Sequence, residues 1–138
     1  MKRVVLVTCG AKKKPGNHPA KDLYVGPYFQ ACMEYAESLK PDQIFILSAK
    51  HHLLPPNAKV DWYDETLNGM GVKDRREWAD RVLGQIRKRF GNAKVEYTIL
   101  AGAMYWEFLV DELGNVRLPL EGKPIGKQLQ FLRRNTDE

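Results

Sequence analysis

The sequence predicts an α/β fold, a single three-layer domain over residues 1–138 in which a short, mostly parallel sheet of about four strands is flanked by helices. Short continuous apolar runs at Val4–Thr8, Ile44–Leu47 and Val95–Leu100 have the composition of strands buried on both faces. Segments of helical spacing lie between them, so strand and helix alternate along the chain. Each run ends on small or reactive residues: Cys9-Gly10, then Ser48-Ala49-Lys50-His51, then Ala101-Gly102.

The elements follow in order. Met1-Lys2-Arg3 before the first run imitates the start of a signal peptide, but Gly10 and Lys12-Lys13-Lys14 cut it short, which leaves a buried strand. A polar loop is expected from Ala11 to about Val25. Pro27 stands where the first turn of a helix tolerates proline, and Phe29, Cys32, Met33, Ala36 and Leu39 continue an apolar stripe to Lys40-Pro41. Ser48–Leu67 reads as a loop, because Pro55-Pro56 excludes a long helix and leaves at most a turn over Asp64–Leu67. Asp74 has the place of an N-cap with Glu77 as its capping-box partner, and Trp78, Val82 and Ile86 mark a helix that stops at Gly91-Asn92. A helix over Met104–Leu113, a fourth strand at Val116–Leu118 and a terminal helix over Ile125–Arg134, with Ile125, Leu129 and Leu132 inward, complete the alternation.

An apolar share of 43% and a charged share of 28% suit a soluble globular chain, and no apolar run nears the roughly 18 residues that span a bilayer. No membrane partner is expected. Cys9 and Cys32 lack C-x-x-C spacing, so neither a disulfide framework nor a zinc site is indicated, and a cytoplasmic location follows. No cofactor and no obligate protein partner is inferred. The formal charge of +5 favours a polyanionic partner, nucleic acid foremost, although many basic proteins bind nothing anionic.

In an open parallel sheet, ligands bind beyond the carboxyl ends of the strands, so the residues leaving those ends are the informative ones. Cys9, Gly10, Ala11 and the lysines leave strand one; Ser48, Lys50 and His51 leave strand two; Ala101-Gly102-Ala103 leave strand three. Cys9-Gly-Ala-Lys-Lys-Lys invites comparison with phosphate-cradling loops. It contains neither G-x-x-x-x-G-K-[ST] nor G-x-G-x-x-G, and a small turn followed by solvated lysines explains it equally well. Lys50 has the chemistry to hold a phosphate or an anionic leaving group, and His51 or His52 to move a proton near neutral pH; a surface lysine and turn histidines are the plainer account. Asp61 and Asp64 flank Trp62-Tyr63, which puts a carboxylate beside a stacking platform, the combination that cleavage of a sugar–base bond requires. A solvated turn acid and an N-cap are the plainer account of those two. The basic face of Arg75, Arg76, Arg81, Arg87, Lys88 and Arg89 has acids interleaved and reads as solvated.

Taken together, "VTCGAKKK…AKDLYVGPYF…FILSAKHHLLPP…VDWYDETL", with the closing "PLEGKPIGKQLQFL", resembles a small uncharacterised bacterial and phage domain family. Its Ser48–Leu67 segment is similar to the corresponding stretch of the YaaA peroxide-stress proteins and, more loosely, of the lyase-associated domain of archaeosine synthases. The resemblance implies an α/β domain associated with nucleic acids, and it singles out Cys9, Lys13, Tyr24, Ser48, Lys50, His51, Asp61, Tyr63 and Asp64 as residues in matched motifs. This chain departs from the pattern twice: His52 stands where Gly is expected, at a place where Gly would allow a left-handed turn, and Trp62 stands where Pro is expected.

The leading expectation is a metal-independent N-glycosidase of the DNA-glycosylase type that removes a damaged or modified base, with DNA favoured over RNA. Asp64 or Asp61 would stabilise the sugar cation and activate water, Lys50 and His51 would neutralise the departing base or grip phosphate, and Tyr24, Trp62 and Tyr63 would stack. Cys9, Gly10, Lys13, Ser48 and His52 complete the expected substrate site. A non-catalytic DNA- or RNA-binding stress-protection module is one alternative. A nucleoside or nucleotide hydrolase, or a deoxyribosyltransferase, is another.

Overall fold

In the computed structural model, residues 1–10 and 12–136 are described. Ala11, expected at the ligand edge, and Asp137 and Glu138 lie outside the described residues. In chain order the elements are β1 (Lys2–Thr8), β2 (Asn17–Pro19), α1 (Ala20–Leu23), α2 (Pro27–Ser38), β3 (Gln43–Ser48), β4 (His52–Leu54), β5 (Lys59–Asp61), a 3-10 turn at Leu67–Gly69, α3 (Val72–Phe90), β6 (Val95–Leu100), α4 (Ala103–Trp106), α5 (Val110–Leu113), β7 (Val116–Arg117) and α6 (Ile125–Asn135).

The apolar runs form a mixed, mostly parallel sheet of five strands in the order β4-β3-β1-β6-β7. Strand β1 lies at its centre, parallel to β3 on one side and to β6 on the other. Because successive side chains of a strand point to opposite faces, Val4 and Leu6 meet α3 through Trp78, Val82 and Ile86, while Val5 and Val7 meet α2 through Phe29, Cys32 and Ala36. Two helical layers therefore enclose one sheet. Among the described residues, no helix is long and apolar enough to cross a membrane.

The fifth strand is absent from the sequence reading. Strand β4 turns back antiparallel on β3, with Ser48 paired to His52, across a three-residue connection. In such hairpins the residue that re-enters the ladder commonly takes a left-handed conformation, and His52 has φ +64°. The backbone requirement that suggested glycine is thus present, and a histidine meets it at a cost of about 1–2 kcal/mol. On the outer edge of β4, the side chain of Gln85 from α3 accepts the Leu53 N–H at 2.8 Å, which covers an otherwise open strand.

Several boundaries differ from expectation. The loop after β1 contains β2 and α1, and β2 pairs antiparallel with β5, forming a small ribbon outside the main sheet. Helix α3 begins at Val72 with Gly71 in the N-cap position and no side-chain cap; Asp74 lies inside the first turn, so Glu77 closes no capping box. Its stop is as expected, for Gly91 has φ +54° and its N–H bonds the Arg87 carbonyl at 2.8 Å. The helix expected over Met104–Leu113 is broken into α4 and α5 by a turn that delivers Leu109 fully into the core on the α3 side. In α6, Leu132 is buried and Leu129 partly so, whereas Ile125 is 60% exposed rather than inward.

The strain at His52 has a direct readout. His52→Gly should be more stable than His52→Ala by about 1 kcal/mol in urea unfolding, since both lack the ring and only alanine retains the left-handed penalty.

Candidate functional site

By the topological rule for open sheets, strand order places a binding crevice where β1 has β3 on one side and β6 on the other and the chain leaving their carboxyl ends diverges. A cleft of about 660 Å³ opens at that point. Its floor consists of strand-end residues Thr8, Cys9 and Gly10 from β1 and Gly102-Ala103 from β6. A methyl group added at Gly10 would stand 3.4 Å from Phe29 Cβ and 3.5 Å from Tyr24 Cβ, which is ordinary contact, so the glycine relieves no clash there.

The walls are largely apolar. Tyr28 and Phe29 come from α2, Met104 and Tyr105 from α4, and Ile125 and Leu129 from α6. The exposure of Ile125 is explained by this position. Polar groups enter at a few points: Lys12 and Lys13 from the β1 loop, Glu65, Thr66 and Asn68 beside the 3-10 turn, and Gln128 from α6. Gln128 is held by accepting the Tyr28 hydroxyl and by donating to the Lys123 carbonyl at 2.7 Å. Cys9 Sγ and the Tyr105 hydroxyl are 3.3 Å apart, and Tyr105 stacks edge-on against Trp78 at 5.7 Å between centroids. Burial, with the Cys9 sulfur second, pushes the Tyr105 hydroxyl upward and keeps it a neutral donor.

Lys13 is not a solvated lysine of a loose loop. Lys14 N–H bonds Leu23 O at 2.8 Å and Val25 N–H bonds Lys12 O at 3.0 Å, which ties the segment to the chain around Tyr24. The Lys13 ammonium stands 4.5 Å from the Tyr63 ring centroid and 5.9 Å from that of Tyr24. Two ring faces therefore hold a positive charge at the cleft wall.

Behind that lysine lies a buried hydroxyl junction. The Tyr24 and Tyr63 hydroxyls share a hydrogen bond, Tyr63 bonds Ser48 Oγ at 2.8 Å, and Ser48 Oγ accepts the His51 N–H at 3.0 Å. The Ser48 carbonyl accepts Trp78 Nε1–H at 2.9 Å. Desolvation pushes Tyr24 up to about 12, and Tyr63 upward as well, so both rings remain neutral.

The expected site residues thus fall into distinct places. Cys9, Gly10 and Lys13 line the cleft. Tyr24, Ser48 and Tyr63 are buried behind it as supports. Lys50 and His51, in the β3–β4 turn, and His52, the first residue of β4, do not line it; His51 packs edge-on to Tyr63 at 5.4 Å, and burial lowers both histidines, with Lys50 adding to the effect on His51 and Arg81 to that on His52. Asp61 sits on the ribbon, where its carboxylate accepts Asn17 Nδ2–H at 2.9 Å, and Trp62 is 51% exposed beside it. Asp64 is exposed and does not line the cleft; among the described residues, Glu65 is the carboxylate that does. Glu65, Tyr105 and Gln128 were missed by sequence reasoning. Only for Glu65 was a signal at hand, its place next to Asp64 in the same acidic run. Among the described residues, no three of His, Cys, Asp and Glu gather as a metal-binding group.

The tyrosine pair fixes an alkaline limit. Its hydroxyls ionise more readily in the unfolded chain, so stability is complete below pH 10 and is lost as pH rises toward about 12, the value for folded Tyr24. Chemical unfolding across that window should show the fall in wild type and a shallower one in Tyr24→Phe/Tyr63→Phe.

A similar chain is the uncharacterized protein YfjM of Bacillus subtilis (strain 168), 33% identical over 148 aligned positions that cover 100% of this chain and 97% of the relative. No solved structure matches significantly. The profile of the family of unknown function DUF6884 matches residues 4–134, and the chain belongs to that family.

Proposed function

We propose that the cleft receives a nucleobase of a nucleic acid and hydrolyses its N-glycosidic bond. The observation that carries the reading is the composition of the cleft: one carboxylate, Glu65, and two lysines on a pinned loop, set among tyrosine and aliphatic walls at the ligand edge of the sheet. Flat apolar walls with a few polar groups suit a base, and about 660 Å³ is within the usual range for a small-molecule site.

In this reading the bond between the sugar carbon and the base nitrogen breaks with its electron pair leaving on the base. Lys13, held against Tyr63, neutralises that departing anion or an adjacent phosphate. Glu65 stabilises the sugar cation and takes a proton from the water that adds to it. Tyr28 and Tyr105 face the base, and Gln128 supplies an amide for its edge. The carboxylate role thus passes from Asp61 and Asp64 to the neighbouring Glu65, and the charge-neutralising role from Lys50 to Lys13. The similarity of Ser48–Leu67 to YaaA proteins supports a nucleic-acid setting, and the two free cysteines agree with a reducing, cytoplasmic one.

Oligonucleotides carrying uracil, hydroxymethylated or oxidised bases provide the test, with abasic sites as the readout. Glu65→Gln should lower base release by roughly 100-fold or more, while Asp61→Asn and Asp64→Asn stay close to wild type. Binding without release in wild type would leave a non-catalytic module as the function. Release from mononucleotides but not from oligonucleotides would transfer the activity to the nucleoside hydrolase class.

A further inference from the structure

Helix α6 separates two concave surfaces. One is the cleft, reached by Ile125, Gln128 and Leu129; the other is a groove of about 300 Å³ lined by Lys123, Lys127, Gln130, Phe131, Arg134 and Asn135. Among the described residues, three cations and no acid line this groove.

The absence of acids there is local. Helix α6 contains no Asp or Glu over Ile125–Asn135, and among the described residues none of its cations, nor Lys123, enters a salt bridge. The basic helix α3 differs in this respect. Arg75 pairs with Glu107 at 2.9 Å and Arg87 with Glu112 at 3.5 Å, while Arg76 and Arg89 lie over the rings of Phe108 and Phe45. Four of the seven cations on α3 thus meet a carboxylate or a ring of the fold, whereas among the described residues those on α6 meet no carboxylate.

An aromatic ring sits among the α6 charges. Phe131 is half-buried, fixed edge-on against Tyr35 at 5.6 Å, with the Lys123 ammonium 5.2 Å from its centroid. Lys127 and Arg134 stand about 10 Å apart along the helix axis, enough for more than one phosphate of a strand. A positive groove that tracks a backbone, with a ring for a base to stack on, is the general form of a single-strand binding surface.

We propose that the Lys123–Lys127–Arg134 groove carries the phosphate backbone of a single-stranded nucleic acid, whose next base crosses α6 into the cleft. This inference rests on the reading of the cleft as a nucleobase site. It narrows the substrate to a strand that is unpaired or opened locally, because a base held in a duplex cannot follow the backbone over the helix ridge.

Fluorescence anisotropy with a labelled single-stranded oligonucleotide and with its duplex tests the groove without turnover. Wild type should prefer the single strand, and Lys127→Glu/Arg134→Glu should weaken that binding at least tenfold. The milder Lys127→Gln/Arg134→Gln variant serves if charge reversal prevents folding, which circular dichroism reports. It should make the slope of log affinity against log salt shallower by about 1.4, at roughly 0.7 per lost phosphate contact. Phe131→Leu should weaken single-strand binding with the salt slope retained. Affinity and slope unchanged in the charge variants would overturn the proposal, as would equal losses for duplex or for anionic lipid vesicles. Failure of the cleft reading has a different signature: no base release from any substrate, with groove-dependent single-strand binding intact.

Discussion

Burial of Ser48 at the carboxyl end of β3 is the constraint from which the surrounding architecture follows. A serine that is 0% exposed must have its polar groups satisfied by protein. Its hydroxyl bonds Tyr63 and receives the His51 N–H, and its carbonyl receives Trp78 of α3. One residue therefore ties together the β3–β4 turn, the segment that leads to Glu65 and the helix on one face of the sheet. Through Tyr63 the bonding continues to Tyr24, so the loop bearing Lys13 is fixed from below by the same junction. Loss of the hydroxyl would expose no new surface, yet it would leave buried partners unmatched at a cost of about 1–3 kcal/mol.

The central parallel strands β1, β3 and β6 were legible because burial on both faces imposes an apolar run, and all four expected strands, edge strand β7 included, are present as parallel neighbours. Strands β2, β4 and β5, of three residues each, were not legible, for they lie among prolines and polar turn residues that read locally as loop, whereas two-residue β7 shows as a short apolar step after the Gly114-Asn115 stop. Pro19 even closes β2, a residue that argues against strand when read locally. The start of α3 was misplaced because Asp74 is a good cap by type, whereas the chain enters the helix at Gly71 without any side-chain cap. Packing of Trp78, Ala79, Val82, Leu83 and Ile86 is what holds that helix, and it outweighs a missing cap worth about 1 kcal/mol.

At the candidate site, what could be read were the strand ends. Cys9 and Gly10 follow directly from the end of β1, and topology puts such residues at a ligand edge. Glu65, Tyr105 and Gln128 come from segments far apart in the chain, and only tertiary packing brings them to one cleft. The crowded stretch Ser48–Leu67 turns out to divide its labour. Its first part supplies the buried junction and a strained turn, its middle supplies a ribbon strand, and its last part supplies the acid at the cleft wall. Several of the reactive residue types concentrated there have structural work to do.

Charge provides the remaining distinction. A net charge of +5 says nothing about where the excess lies. Helix α3 is richer in arginine than α6, and by count alone it is the better polyanion surface. Its guanidinium groups are largely committed: two meet carboxylates of the chain after β6, and two cover aromatic rings that complete the core on that side. An arginine already in contact with a carboxylate or a ring meets a phosphate only in competition with that partner. Lysines and arginines on an acid-free helix give up only water and counterions, and release of counterions is what drives association with a nucleic acid. Helix α6 therefore presents cations with no acid on the same helix, and it borders the cleft.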